Sequence, residues 1–461
     1  MKLMFYQRGA SVHPRTPILG AALTFLIQSS DTTLLYLALP TLAQTFGVAV
    51  RDMDAVVLSY LAAVVVSTPC SDYLMGRWGA GLVYRWALTL FMLAAVGSAS
   101  ATSLDALCLW RGWQGCGGAL MLACARVMLL HGADQRERVR RLNQATAIGL
   151  LGTLLGPLGG AACLTLLSWR GLFLLPLPLC LPCLWLPVTR CQRLTTPVFD
   201  LHGYALLAPA LLALLVLSTP SGQRLLSPAT ALLAAVIIPG LALSYWRRRG
   251  GRHDGIFRFS LLRRHSYRVS LLGNVLVRLC LAAAPLMLSL LLQARGASGG
   301  QTGALALLAF SLGALGARLF NGVLLARYGY RRLLSGASLS CALLLIAVAA
   351  QGASVSLLLT LTMMLGLCSS MLYNGLNTLA FHDLDDHSYG AGNSLLTLVQ
   401  LMSMTLGISL GFLLLHADGL SASGTPPIGY DRVFRMMGVG LFLCIPLFFQ
   451  LEKRIGSTAS S

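Results

Sequence analysis

Charged residues are scarce in this chain, and acidic residues are the scarcest. Only 11% of its 461 residues are charged, with 15 Asp and Glu against 34 Lys and Arg. A soluble globular domain carries about 25% charged residues, whereas 56% of this chain is hydrophobic and its mean hydropathy is +0.74. The composition excludes an ordinary water-soluble protein and predicts a chain that crosses the bilayer several times.

Motifs for enzymatic chemistry are also missing. The sequence has neither a His-Glu-x-x-His zinc motif nor a phosphate-binding loop. Its twelve cysteines are scattered, mostly through apolar segments, which is typical of small packing residues rather than of a disulfide framework or metal site. We therefore expect no catalytic activity, no cofactor, no bound metal and no nucleic-acid partner.

About fourteen apolar segments are long enough to span a bilayer, which requires about 20 residues in a helix. Each must be helical, because a helix satisfies its own backbone polar groups where no water is available. The predicted fold is therefore all-α and integral to the membrane. The segments begin near Ile18, Met53, Val83, Leu104, Asn143, Leu172, Leu201, Pro228, Val269, Thr302, Leu333, Val355, Leu395 and Val433.

The basic residues predict the orientation of the chain. With the N-terminus inside, 24 of the 34 Lys and Arg fall in cytoplasmic connections and 6 fall outside. The cytoplasmic set includes the cluster at residues 136–141 and the stretch at residues 247–268. By the positive-inside rule we expect both termini in the cytoplasm, with the net charge of +19 facing lipid headgroups.

A repeated turn divides the chain in two. A small residue, an Arg, an aromatic residue and a Gly follow helix two, with Arg77 and Gly79, and recur after helix ten, with Arg327 and Gly329. Two bundles of six helices would place these turns after helices two and eight. We therefore predict an N-terminal bundle at residues 1–195, two inserted helices at 196–250 and a C-terminal bundle at 251–461.

Four ionisable residues lie deep in apolar segments. Asp31 is near the middle of the first, where a charge costs roughly 2.5 to 3.5 kcal/mol to insert and is by default functional. Arg111 lies about seven residues into helix four and needs a partner, and Arg278 and Arg318 are also intramembrane. We expect Asp31 to carry a proton or meet a cation, and we expect Asp31, Gln114, Arg278 and Arg318 to line a substrate cavity.

Several motifs resemble those of one family. Residues 30–33 with 38–40 resemble the first-helix motif of the fourteen-helix drug:proton antiporters of the major facilitator superfamily, and residues 111–119 resemble the helix-four motif. Residues 152–160 resemble the helix-five antiporter motif, and residues 169–178 resemble the opening of helix six. Shorter stretches, among them residues 286–293 and 392–395, most resemble one group of enterobacterial proteins in this family.

The resemblance implies a major facilitator fold in the inner membrane and a secondary transporter that works by alternating access. It also implies a part for Asp31 and Arg111 in proton coupling, since an adjacent cation lowers the affinity of a buried carboxylate for protons. Within the antiporter motif, small residues on one helix face let another helix approach closely. They form either an ordinary packing seam or, as we expect, the rocking interface between opposite halves, and they are Gly152, Gly156, Pro157, Gly159 and Gly160.

The turn after helix two departs from the family. Gly76 stands where the gating motif of the superfamily has Asp, and Asp72 stands one turn earlier. Asp72 could replace the missing charge by pairing with Arg77 or Arg141. The candidate cytoplasmic gate therefore consists of Asp72, Arg77, Gly79, Arg327 and Gly329.

Three functions remain open from the sequence. The first is proton-driven export of drug-like amphiphiles by a monomer. The second is export of an organic-anion metabolite, because arginines outnumber the single deep acid in the expected cavity and a positive cavity favours anions. The third is a membrane sensor or scaffold without transport activity.

Overall fold

A computed structural model describes residues 16–130, 135–185, 259–295, 300–350, 354–382, 384, 386–416 and 428–451, together with Tyr204, Ala208, Pro209, Leu212 and Ala213. Every regular element in these ranges is a helix, as predicted. The two helices predicted between residues 201 and 246 lie almost entirely outside the described residues, and so the total of fourteen stays a prediction.

The first group of helices lies between residues 16 and 185. α2 and α3 form one span interrupted by the short 3-10 turn Thr68–Cys70, where Pro69 has no N–H to continue the helix. α7 and α8 likewise follow one another across Pro176. The elements are α1 (Thr16–Phe46), α2 (Asp54–Ser67), α3 (Ser71–Trp78), α4 (Ala80–Ala99), α5 (Leu104–Leu130), α6 (Gln135–Leu166), α7 (Trp169–Leu174) and α8 (Leu177–Trp185).

The second group begins after residue 258. α9 and α10 form one span, as do the last two helices, whereas the long α11 contains two spans that meet at Gly329. The elements are α9 (His265–Leu281), α10 (Ala284–Arg295), α11 (Gly300–Val348), α12 (Val355–Phe381), α13 (Asp386–His416), α14 (Ile428–Phe442) and α15 (Ile445–Phe449).

Nine helical runs among the described residues are long and apolar enough to cross a membrane. One of them is α11 with its two spans, α5 is a further helix of 27 residues, and Trp169–Trp185 is a shorter apolar segment. Among the described residues, six helical segments therefore precede residue 186 and six follow residue 258. Large apolar side chains such as Leu93 and Leu319 are exposed on their outer faces, where a bilayer would cover them.

The repeated turns adopt the same backbone conformation in both groups. Gly79 has φ +82° and Gly329 has φ +70°. This left-handed region is readily accessible only to glycine, because a Cβ would crowd the following carbonyl. Each glycine therefore ends one helix and redirects the chain into the next, which explains its place in the repeated motif.

Some helices extend beyond the apolar segments that predicted them. α6 begins at Gln135 and α13 at Asp386, whereas the apolar segments begin near Asn143 and Leu395. Hydropathy detects only the part of a helix that hydrocarbon surrounds, while backbone hydrogen bonds continue into the polar connection.

The helical bundle has two ends, each named after one of its residues. The Asp52 end contains the turn Val50–Met53 and the end of α13, and the Gly79 end contains the two glycine turns. An apolar cluster joins both groups at the Asp52 end, including Met53 and Phe434. At the Gly79 end the first group has a core of its own, around Phe91.

Candidate functional site

Asp31 and Arg111 form a buried ion pair. Arg111 Nη1 lies 3.0 Å from Asp31 Oδ2 and 2.7 Å from Gln114 Oε1, and Gln114 Nε2 donates to Asp31 Oδ1 at 2.9 Å. The exposed fractions are 3% for Asp31, 1% for Arg111 and 0% for Gln114. The three side chains thus close a ring of hydrogen bonds between α1 and α5. Arg111 and Gln114 can share Asp31 because residues three apart lie on one face of a helix.

Aromatic rings and close helix packing surround this ring. The Arg111 guanidinium carbon lies 4.5 Å from the centroid of the Tyr60 ring and 5.9 Å from that of Phe173. Tyr60 belongs to α2, and its hydroxyl donates to Gln28 Oε1 at 3.0 Å. A Cβ on Gly115 would collide with the Tyr60 carbonyl, and one on Gly118 would come within 2.8 Å of the Tyr60 hydroxyl. The glycines of α5 therefore bring Tyr60 close to the ion pair.

A second polar cluster lies in the second group. Arg278 Nε donates to Asn274 Oδ1 at 3.3 Å, and the Arg278 guanidinium lies 4.6 Å from the centroid of the Tyr373 ring. Gln400 Nε2 donates to Asn377 Oδ1 at 2.7 Å and to Asn274 Oδ1 at 3.4 Å. Side chains from α9, α12 and α13 thus converge on one region inside the second group.

Tyr36 connects the two clusters. It lies on α1 beyond Asp31, only 4% of it is exposed, and it is close enough to both Arg111 and Tyr373 to interact with them electrostatically. Tyr36 therefore has electrostatic neighbours in both groups. Sequence reasoning identified neither Tyr36 nor the amides around Arg278 as candidate site residues. A search for uncharged polar residues in apolar helices could have found both.

Arg318 is remote from these contacts and lies where the two groups meet. Arg318 Nη2 donates to the carbonyl of Thr146 on α6 at 3.5 Å. About two turns further along α6, the carbonyl of Thr153 accepts from Ser311 Oγ at 3.0 Å. The structure therefore assigns Arg318 a contact between the groups, whereas it brings Asp31 and Gln114 together with Arg111.

The glycines of the antiporter motif pack against helices of their own group, and their part in a rocking interface between opposite halves stays a prediction. A Cβ on Gly152 would collide with the Leu26 carbonyl and one on Gly156 with the Thr33 hydroxyl, both on α1 of the same group. Gly160 also faces α1, and Gly159 faces Leu175 in the connection between α7 and α8. The small residues are needed for close packing of α6 on α1, as in the packing-seam alternative. Pro157 lies inside α6 without ending it. The carbonyls of Thr146 and Thr153 on α6 accept hydrogen bonds from the second group.

The candidate gating residues lie at the Gly79 end. Arg77 is exposed, donates to the Tyr73 hydroxyl at 2.9 Å and lies 5.7 Å from the centroid of Trp78. Arg327 lies in the same way over Tyr328, at 5.5 Å. Asp72 is exposed in the first turn of α3. Arg141, which sequence reasoning considered as its partner, is 2.9 Å from Glu137, and its hydrogen bond holds the pKa of that carboxyl below the usual value.

At the Asp52 end a polar contact crosses between the groups. His416 Nε2 at the end of α13 lies 3.1 Å from Asp52 Oδ1 in the turn Val50–Met53, and both side chains are partly buried. Sequence reasoning missed this pair because its members are 364 residues apart, one in a short turn and the other at the end of a helix. No group of three His, Cys, Asp or Glu side chains that could hold a metal ion is present among the described residues.

The chain is similar to known transporters over nearly its whole length. The sequence model of the Major Facilitator Superfamily matches residues 21–245 and 270–460. The "Putative multidrug resistance protein MdtD" of Enterobacter sp. (strain 638) is 30% identical over 449 residues, covering 95% of this chain and 94% of that protein. The protein of the same name from Klebsiella pneumoniae (strain 342) is 31% identical over 449 residues, with the same coverage. The resemblance drawn from the motifs is confirmed.

A solved structure supports the fold independently of sequence. The crystal structure of a mutant of the nucleoside transporter NupG superposes with a TM-score of 0.66, covering 95% of this chain and 99% of that chain. The two sequences are only 15% identical, so this likeness concerns the fold alone.

Proposed function

The chain belongs to the Major Facilitator Superfamily of membrane transporters, and we propose that it is a proton-coupled secondary transporter that exports small molecules by alternating access. The observation that supports this proposal most strongly is the buried Asp31 to Arg111 ion pair between α1 and α5. In transporters built from two helix bundles, the binding site lies near the middle of the membrane. Rocking of one bundle against the other exposes this site to one side of the membrane at a time.

Asp31 is the proposed proton carrier. In the ion pair its charge is balanced by Arg111, so the pair as a whole is neutral and tolerates burial. Protonation of Asp31 would leave Arg111 as a buried cation without its counter-charge, which is costly in a medium of low dielectric constant. The proton therefore favours a conformation in which Arg111 gains another partner or contact with water. Arg111 and Gln114 respond to the protonation state of Asp31, and in this way they couple it to the packing of α1 against α5.

The two ends of the bundle are proposed to act as alternating gates in the inner membrane, with both termini in the cytoplasm. In that orientation the Gly79 end faces the cytoplasm and the Asp52 end faces the outside. The apolar core that both groups share at the Asp52 end supports closure of that end, and the two groups also meet in a second apolar cluster that contains Val65 of α2 with Leu261 and Leu395. The contact of His416 with Asp52 is part of the same closed end.

Drug-like amphiphiles are the proposed substrates. The MdtD proteins to which this chain is similar carry multidrug resistance in their names. Buried and partly buried aromatic side chains beside charged and amide groups, as at Tyr36, Tyr60 and Tyr373, suit ligands with an apolar body and a polar group. Such ligands are proposed to enter from the cytoplasm and leave to the outside in exchange for protons.

Transport in proteoliposomes with an imposed pH gradient tests the proposal. A mixed panel of amphiphiles should accumulate only when the gradient is present, and Asp31→Asn should abolish gradient-driven accumulation. Asp105→Asn is the matched control, because Asp105 is an exposed carboxylate in the first turn of the same α5 that carries Arg111. Gradient-driven accumulation that survives in Asp31→Asn, or falls equally in Asp105→Asn, would exclude Asp31 as the proton carrier.

A further inference from the structure

Arg278 differs from Arg111 in its partners, although both lie deep in the bundle. Arg111 is 1% exposed and paired with a carboxylate at 3.0 Å. Arg278 is partly accessible, and its contacts are the amide of Asn274 and the ring of Tyr373. In the described part of the chain no carboxylate forms an ion pair with it. The charge of Arg111 is thus balanced by a carboxylate. Arg278 is partly accessible, and no carboxylate among the described residues balances its charge.

The groups around Arg278 add hydrogen-bonding capacity without negative charge. Asn274, Asn377 and Gln400 supply three side-chain amides from three different helices. Gln400 donates to both asparagine oxygens, which fixes their orientation. A guanidinium fork is the side chain that best matches the planar oxygens of a carboxylate. The cluster therefore combines a cation of that geometry with polar groups held in place beside it.

We propose that Arg278 binds an anionic group of the exported molecule, and that the substrates are amphiphiles that carry a carboxylate or a similar anion. This inference rests on the proposed function, because it names the charge of the substrate that the transporter exports. Asn274, Asn377 and Gln400 contribute hydrogen bonds beside Arg278.

The charge of the substrate determines how the membrane potential acts on transport. Export of an anion and entry of a proton both move positive charge inward, so their effects add. Export of a cation opposes entry of a proton, so their effects cancel. Because a potential acts on each charge that crosses the membrane, an inside-negative potential should accelerate anion export whatever the number of protons exchanged.

Binding of three probes of nearly equal shape tests the subsite without any proton gradient. The probes are 1-naphthoate, the neutral 1-naphthamide and the cationic 1-naphthylmethylammonium, measured on the full-length protein in nanodiscs of zwitterionic lipid. We expect naphthoate to bind most tightly and Arg278→Gln to weaken it about 30-fold or more, as for loss of one partner of a buried charge pair. Arg278→Lys should retain part of the binding, since it keeps the charge but loses the fork.

Two controls keep the test decisive. Arg170→Gln removes an exposed arginine that lies over the ring of Trp169, outside the proposed subsite, so naphthoate binding should be unchanged. Naphthamide binding should be the same in wild type and Arg278→Gln, which shows that the variant is folded. Failure of naphthoate to bind better than naphthamide in wild type, or equal binding of naphthoate in Arg278→Gln, would overturn the proposal. Loss of naphthoate binding on addition of phosphatidylglycerol would instead assign Arg278 to a lipid headgroup and overturn the substrate assignment.

The outcome is separable from that of the proton-coupling proposal. Naphthoate binding at equal pH requires no exchange of protons, so its dependence on Arg278 can be measured whether or not transport is coupled to protons. If naphthoate binding depends on Arg278 but transport does not depend on the pH gradient, the proposal for the Arg278 subsite stands and the proposal of proton coupling fails. In proteoliposomes, an inside-negative potential that slows naphthoate export would contradict an anionic substrate.

Discussion

Removal of Arg111 should expose the energetics of the buried ion pair. Asp31 is only 3% exposed. In Arg111→Leu it loses the contact with Arg111 Nη1 at 3.0 Å and keeps the hydrogen bond from the Gln114 amide at 2.9 Å. A buried charge that loses its partner costs about 3–5 kcal/mol of stability. We expect a loss of this size in the free energy of unfolding, measured by SDS titration in mixed micelles.

The double variant Asp31→Asn/Arg111→Leu separates the unpaired charge from lost packing. Asn can still accept from Gln114 and carries no charge, so the double variant should be more stable than Arg111→Leu alone. A non-additivity of about 2–4 kcal/mol is expected, since replacement of a whole buried pair is often close to neutral. The penalty in Arg111→Leu should also shrink as the pH is lowered, because an unpaired buried carboxylate can become neutral by taking up a proton.

Arg318→Leu provides the reference for these measurements. Arg318 contributes one hydrogen bond of 3.5 Å to a backbone carbonyl, so its loss should cost about 1 kcal/mol or less. If Arg111→Leu is no less stable than Arg318→Leu, or if the effects of the Asp31 and Arg111 substitutions simply add, the two residues do not form a stabilising pair and the reasoning fails.

Three further predictions concern packing, the closed end and the orientation of the chain. Gly152→Ala should destabilise by about 1–3 kcal/mol, since its Cβ would displace the backbone at Leu26, whereas Gly112→Ala meets nothing within 4 Å and should be neutral or stabilising in the same SDS titration. His416→Leu should raise amide hydrogen exchange in Val50–Met53, because it removes the contact at 3.1 Å that joins the two groups there, and unchanged exchange would show that the contact is not a latch. Cysteine labelling should find both termini in the cytoplasm, and labelling of either terminus from outside would contradict the predicted orientation.

The fold was largely predictable because hydrocarbon imposes strong rules on sequence. Long apolar runs must be helices, and the repeated glycine turns divide them into two groups. Gly79 and Gly329 could be recognised in advance because only glycine adopts their positive φ without strain. Helix ends were less predictable, as at Gln135, where hydrogen bonding carries the helix past the apolar segment.

The candidate site was predictable in its charges and not in its contacts. Asp31 and Arg111 attracted attention because burial of a charge is costly, and the structure brings them together. Their separation of 80 residues gives no local signal of pairing. The packing partners of the antiporter-motif glycines were not predictable for a similar reason, since small residues show that a helix approaches closely but not which helix it is.

Asp31→Asn in two transport modes tests the central claim most directly. Counterflow exchanges labelled for unlabelled substrate at equal pH and needs only alternating access, whereas accumulation driven by a pH gradient also needs a residue that takes up and releases a proton. Asp31→Asn should retain counterflow of a transported amphiphile near the wild-type rate and lose gradient-driven accumulation. Wild-type accumulation in Asp31→Asn would contradict the assignment of proton coupling to the Asp31 and Arg111 pair.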